Sequence, residues 1–342
     1  MTIFGPNEED PAEVNLAKSL GADYIGVCPF TIQPGSAHSL VFALALLRKL
    51  KQVCRKSHID VLQFADYSMN CFIYPTIKSS LNLPIVSDLH ALTSSRSHEP
   101  GLRNPLWQWL IFLIYEKLAL KFSDAVITPT EELRGLLDRR YYKNVFAVPN
   151  CVSLTRDVHS LRSFEDRSGW RVFFHANFLL ERSVRELARL SEIALKIQAR
   201  GYRLRVSVAG PGSERLPNLL KPLINLGYVN DPYDYLLNSD LIILPVKDLT
   251  MGLHSRLVEA MAAGRPIVAT KEACCGLLPY LKESGIIVCN SIEEFVDAGC
   301  SLLNDRNRAH DLGARNRRLA DRLFSPQAVG SSLERVYAEI IR

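Results

Sequence analysis

The chain has 342 residues, which is long for one domain and natural for two, each able to bury its own core. Hydrophobic residues make up 47% and charged residues 23%, an ordinary globular balance. The formal charge of +5 comes from interspersed signs. It permits an anionic substrate or an anionic membrane face, and without aromatic and basic interleaving it gives no case for nucleic acid.

Eight cysteines, at 28, 54, 71, 151, 274, 275, 289 and 300, form no C-x-x-C pair and have no histidine at ligand spacing. Reduced thiols in a cytoplasmic protein are therefore expected, with no metal centre and no cofactor. The start, MTIFGPNEEDP, lacks the basic and apolar regions of a signal peptide. No run reaches the roughly 18–20 apolar residues needed to span a bilayer. A cytoplasmic location follows as an expectation, with peripheral attachment to the inner face of a membrane kept open.

In chain order, Thr2 to Phe4 is expected as a strand, Pro11 to Leu20 as a helix and Tyr24 to Pro29 as a second strand. Ser39 to Val53 has helical apolar spacing and ends in Arg48, Lys49 and Lys51, cations that suit a helix C-terminus. Such a helix covers a sheet with a solvated outer face or touches a membrane or lipid acceptor, and the first is favoured. Asp60 to Ala65 and Leu83 to Ser87 read as strands, the second running into Asp88, Leu89 and His90. A polar pair at the end of a buried strand is where binding groups collect. Leu106 to Phe122 is apolar almost all round and suits a buried helix better than a membrane-surface one, while Glu116 and Lys117 argue against spanning. Ala125 to Thr128 is a strand, with Thr130 able to cap the next helix. After Val145 to Val152 comes a polar, irregular stretch from Leu154 to Ser168, placed as an interdomain linker.

Trp170 to His175 is a strand leading into Ala176-Asn177-Phe178-Leu179-Leu180-Glu181-Arg182-Ser183. Arg182 is either a solvated helix residue beside Glu186 or a cation aimed at a ligand, the latter slightly favoured. Leu204 to Gly212 and Asn225 to Val229 are further strands with turns. From Leu241 to Thr270 strand, loop, helix and strand follow within about 30 residues, the spacing of a parallel α/β crossover. The loop opens at the carboxyl end of its strand, where α/β sheets bind ligands. Unpaired amides around Leu253, His254, Ser255 and Arg256 at the helix start suit a phosphate oxygen, and Gly252 lets backbone come close to it. Glu259, one turn in, leans towards the same end and could hold the hydroxyls of a ribose. The bland alternative is an i, i+3 pair with Arg256, worth roughly 0.2–0.5 kcal/mol. Beyond Thr270, the strand Ile286 to Val288 completes the sheet, the arginines from Arg306 to Arg322 read as a solvated surface, and Pro326 to Ile340 is a last helix.

Met251-Gly252-Leu253-His254-Ser255-Arg256-Leu257-Val258-Glu259-Ala260-Met261-Ala262-Ala263-Gly264-Arg265-Pro266-Ile267-Val268-Ala269 resembles the donor-site segment of retaining glycosyltransferases of the GT-B fold, family four. The usual form there is E-G-F-G-L-P-L-L-E-A-M-A-x-G-x-P-V-V-A. Glu259 keeps the second acid and Met251 replaces the first, which in the family faces the transferred sugar. A subgroup reading G-x-x-x-[KR]-x-x-E-A-M-A-A-G-x-P matches Gly252, Arg256 and Glu259 without that acid. Further likenesses run in order from about Asp60: Asp88-Leu89-His90 at a strand end, Ala125 to Thr128, Val145 to Val152, and Asn177 with Arg182, which fall on the family's diphosphate-holding arginine and lysine. Tyr228 and Val229 lie in the short strand whose backbone reads the nucleobase.

The resemblance implies an α/β protein of two Rossmann-like domains facing across a cleft, the GT-B architecture. Residues 1–155 would form the acceptor-side domain and 156–325 the nucleotide-sugar domain, with a helix at 326–342 returning to the first. It implies transfer of a sugar from a nucleoside-diphosphate sugar to a hydroxyl of a glycan, a lipid-linked glycan or a small molecule, with retention. Leaving-group charge would be met by Arg182, by the helix start from Leu253 to Arg256 and by His90, without the D-x-D carboxylates that hold a metal in the other main glycosyltransferase fold. Asp248 is a candidate replacement for the acid missing at Met251. Two other readings stand beside this one, a nucleotide-sugar epimerase of the same fold and a non-catalytic scaffold or partner subunit.

Overall fold

The computed structural model describes residues 2–5, 23–26, 37–65, 69–89, 105–141, 144–152, 169–216, 222–247 and 252–341. The expected helix at 11–20, the linker at 154–168, His90, Asp248 and Met251 lie outside them. The chain divides into two compact units, one of Met1–Thr128, Leu133–Ala147 and Glu334–Arg342, the other of Pro129–Glu132 and Val148–Leu333.

In the first unit β1 (Thr2–Gly5) pairs in parallel with β2 (Asp23–Gly26). A second sheet runs β3 (Leu62–Ala65), β4 (Ile85–Asp88), β5 (Ala125–Thr128) and β6 (Val145–Ala147), parallel throughout and in chain order. Helix α1 (Ala37–Lys56) precedes β3, and α2 (Tyr74–Leu81) and α3 (Pro105–Phe122) supply crossovers that parallel pairing in this sheet demands. Helix α4 (Glu131–Tyr141) connects β5 to β6. Ala43, Leu46 and Leu50 of α1 share a core with Tyr74, Ile77, Ile85, Leu120 and Val126. The four-residue spacing from Leu46 to Leu50 puts them on one stripe, and Arg48 stays exposed on the other side. Lower in α3, Glu116, Ala119 and Leu120 are buried while Ile114 is 42% exposed. Among the described residues no helix is long and apolar enough to cross a membrane.

The second unit has a six-strand arrangement in two hydrogen-bonded halves, β9-β8-β7 and β10-β11-β12. They comprise β7 (Trp170–His175), β8 (Leu204–Ala209), β9 (Leu223–Asn225), β10 (Ile242–Leu244), β11 (Ile267–Ala269) and β12 (Ile286–Val288). A parallel bridge between Val172 and Leu241 joins the halves, with the Asp240 amide donating to the Arg171 carbonyl at 2.8 Å. The spatial order is therefore 9-8-7-10-11-12, a Rossmann order whose direction of winding reverses between β7 and β10. Ligands bind α/β sheets beyond the strand carboxyl ends at such a reversal.

Helices α5 (Glu181–Ala199), α6 (Tyr233–Leu237), α7 (Ser255–Ala262), α8 (Ile292–Asn304), α9 (Arg306–Phe324) and α10 (Pro326–Ile341) flank these strands. The second half of α10 belongs to the first unit, where the Tyr337 hydroxyl donates to Gln63. Leu187, Leu190, Ile193, Ala194 and Ile197 bury the inner face of α5 against the strands. Ala260, Ala262 and Ala263 are small and fully buried, and the end of α7 lies close against α9, where a Cβ on Gly313 would come within 2.2 Å of the Gly264 carbonyl oxygen. The end of α7 is closed by a Schellman motif, in which the Gly264 amide donates to Met261 O at 2.9 Å and the Arg265 amide to Ala260 O at 3.2 Å. Gly264 adopts φ 64, which the motif needs and a side chain would resist. The arginines of α9 are more than the solvated surface expected from sequence. Arg317 donates to the Ala262 carbonyl, and Arg315 reaches the carbonyl of Lys282 at 2.8 Å, so they close neighbouring backbone ends.

Candidate functional site

The residues singled out in the second unit gather where β7 and β10 end. His175 is the last residue of β7, and the chain turns at once through Ala176 and Asn177. The Asn177 Oδ1 accepts the Leu179 amide at 3.1 Å, so this side chain shapes its own turn. That turn is packed tightly against the next loop. A Cβ on Gly210, which has φ +140, would come within 2.0 Å of the Ala176 carbonyl oxygen. Helix α5 then starts at Glu181 with no side-chain cap, and Arg182 lies in its first turn, half-buried.

Opposite this turn, Gly252 to His254 lead into α7, whose N-cap is His254 in an extended conformation. No side chain caps this helix, and Ser255 at its first position is exposed. Leu253 packs on the core, which fixes the approach of the loop. The orphan amides of a helix start, with the positive end of its dipole, form an anion-favouring point.

Charge at that point is arranged differently from the i, i+3 pairing of Arg256 with Glu259. The guanidinium does not pair with Glu259. Its Nη2 donates to Glu186 Oε2 at 2.6 Å, and its carbon lies 4.9 Å from the centroid of the Phe174 ring. Glu186 is 3% exposed, and so is no part of a solvated face. Released from Arg256, Glu259 places Oε2 2.8 Å from His175 Nε2. That oxygen is enclosed and, with the imidazole beside it, still has no hydrogen-bond partner among the described residues. His175 is steadied by Phe173, whose ring stacks on it at 5.7 Å.

His254 reports the local potential. Burial lowers its pKa from 6.5 to about 4, with the Arg256 and Arg182 charges adding to the effect. The imidazole is therefore neutral near pH 7. Because the folded value is depressed, the unfolded chain binds the extra proton between pH 6.5 and about 4. Stability from this group is fully present above pH 6.5 and is lost as the pH falls towards 4. A shift of this size corresponds to about 3 kcal/mol across the window. His254→Asn is expected to flatten the pH dependence of urea unfolding there relative to wild type. An unchanged slope would mean the histidine titrates normally.

The structure thus brings Arg182, His254, Ser255, Arg256 and Glu259 together with three residues not singled out from sequence: Phe174, His175 and Glu186. Tyr228 and Val229, expected within a strand, lie instead beyond the end of β9, two strands across from β7, because strand pairing ends at Asn225. Tyr228 is 68% exposed, while Val229 rests against the core. Glu186 had one available signal, an acid on the α5 face that otherwise carries Ser183, Leu187 and Leu190. His175 had only its place at a strand end.

The family model described as "Glycosyltransferase Family 4" matches residues 1–156, and that described as "Glycosyl transferases group 1" matches residues 171–305. The chain is a glycosyltransferase of the family 4, GT-B type. It is 23% identical over 276 residues to an uncharacterized glycosyltransferase of Bacillus subtilis, YqgM, covering 77% of this chain and 74% of that protein. Among solved structures, a sucrose-phosphate synthase from Thermosynechococcus elongatus shares its fold with TM-score 0.72 at 15% identity, over 99% of this chain and 88% of the other. The Anabaena protein HepE, in complex with UDP, shares it with TM-score 0.68 at 15% identity, over 99% and 92% of the two chains. In this glycosyltransferase the uncapped start of α7 and the cations around it occupy the sheet edge at which such folds take ligands.

Proposed function

We propose that this glycosyltransferase takes a nucleoside-diphosphate sugar on its second unit and transfers the sugar, with retention and without a metal, to a carbohydrate or lipid-linked hydroxyl. One observation carries the reading. Arg182, Arg256 and an uncapped helix start converge beside a histidine held neutral, which is a place prepared for a dianionic group. The diphosphate would lie against the Ser255 and Arg256 amides, Glu259 would take the ribose hydroxyls, and the backbone at Tyr228 and Val229 would meet the base. Donors fixed in advance of the reaction stabilise charge developing on the leaving diphosphate without reorganisation, the largest electrostatic contribution open to such a site. His90 is kept as the proposed partner of the donor sugar. The acceptor is assigned to the first unit, where the basic end of α1, from Arg48 to Lys56, favours an anionic carrier or peripheral contact with a membrane surface.

Thermal unfolding with UDP, GDP and ADP tests the donor class. At about 100 times its dissociation constant a ligand stabilises by roughly 2.7 kcal/mol, and one nucleoside diphosphate is expected to raise Tm accordingly. Diphosphate release that depends on an added acceptor supports transfer. Conversion of the donor sugar without acceptor means epimerisation, and binding without turnover means a partner subunit.

A further inference from the structure

We propose that Glu186 is a positioning residue for the donor diphosphate, acting through Arg256. This rests on the donor site described above and adds to it a residue that touches no substrate. Glu186 is an acid on the buried face of α5, one turn after Arg182, at 3% exposure. Taking a carboxylate out of water is costly, and a helix face flanked by Leu187 and Leu190 would hold an apolar residue at less cost. What offsets that cost is what it holds, since its Oε2 accepts from Arg256 Nη2 at 2.6 Å.

That bond restricts a long, flexible side chain to one orientation. Phe174 lies against the guanidinium at 4.9 Å, so the group is fixed by an acid on one side and an aromatic ring on another. The fixed orientation leaves Nη1 enclosed with no hydrogen-bond partner. An unsatisfied enclosed donor is destabilising, and an anion reaching the start of α7 would relieve it. Asn177, on the turn from β7 to α5, brings no charge and gives its Oδ1 to the Leu179 amide. The second diphosphate cation therefore comes from α7, and the carboxylate on α5 aims it. Arg182 and Glu186 are four residues apart on one helix, so α5 contributes one cation directly and orients the other.

The test compares affinities for a nucleoside diphosphate and its monophosphate, using whichever of UDP, GDP and ADP wild type binds. Glu186→Gln removes the charge that anchors Arg256, and Glu186→Asp retains the charge but withdraws it by one methylene. Both should keep monophosphate affinity and reduce the preference for diphosphate, by about tenfold for Gln and less for Asp, the effect of one charge-assisted bond out of register. If Glu186→Gln does not fold, Glu186→Asp alone carries the comparison. The double variant Glu186→Leu with Arg256→Met replaces the pair by apolar groups, and should fold with the preference lost. Unchanged preference in the folded single variants, with loss in the double variant, would make Glu186 merely structural and overturn the proposal. Unchanged preference in the double variant as well would remove Arg256 from the diphosphate site, and the donor-site reading would fail with it.

Discussion

Arg256→Met is expected to destabilise the protein by about 3–5 kcal/mol, because it leaves the Glu186 carboxylate buried without its partner. Few single substitutions outside a large core cavity cost so much. Arg256 is only partly a surface group, with its side chain 16% exposed against 3% for Glu186, so solvent screening relieves little of the loss. The urea midpoint should fall while the slope of the transition stays the same, since the surface exposed on unfolding is unchanged. Adding Glu186→Leu should recover most of that stability, as replacing both members of a buried pair by apolar residues is often neutral. Recovery of stability without recovery of donor binding would separate the two roles of the pair. A surface-like cost below about 1 kcal/mol for Arg256→Met would place the pair in effective contact with water.

Glu259→Gln should cost roughly 10–100-fold in kcat/KM, the worth of charged hydrogen bonds to a hydroxyl pair. The fold should survive, because the Glu259 side chain is 32% exposed and is not the partner of Arg256. Glutamine keeps one acceptor and offers a donor where the ribose needs an acceptor, so the penalty should appear mainly in donor KM. Two comparisons make the result specific. Asp248→Asn tests whether that loop acid replaces the one missing at Met251, and turnover untouched by it alongside loss in Glu259→Gln would end that idea. His175→Phe keeps the stacking on Phe173 but removes the ring nitrogen beside Glu259, and should weaken donor binding by less than Glu259→Gln itself.

Each half of the proposed donor site lies on a local feature that could be read directly. The helix from Ser255 is apolar and small-sided on one face, and Gly264 stops it by a motif confined to its own last turn. The strand ending at His175 and the turn after it are likewise short-range. Strand periodicity also placed most of the parallel strands in both units, since each is a short apolar run bounded by turn residues. Many expected edges differed by a residue or two, as with β10, which starts at Ile242 rather than Leu241, whereas the strand expected at Asn225 to Val229 lies at Leu223–Asn225. Helix and strand ends are decided by which amides find partners, and Leu241 finds only a bridge to Val172.

Partner choice was a different matter. Read along the helix, Arg256 and Glu259 are natural i, i+3 neighbours, and nothing within reach of either discourages the pair. The structure instead pairs Arg256 with Glu186, 70 residues earlier, because α5 and α7 share one core and bring a buried acid to the buried guanidinium. Desolvation makes that bond stronger than a surface contact, and Glu259 is left beside His175. By itself the sequence determined the α/β class and the segments that end at the sheet edge, because those follow from local periodicity and turn chemistry, while its motifs carried the resemblance to the family. The tertiary structure alone decided which charges meet, because burial sets the strength of an ion pair and burial belongs to the packed molecule.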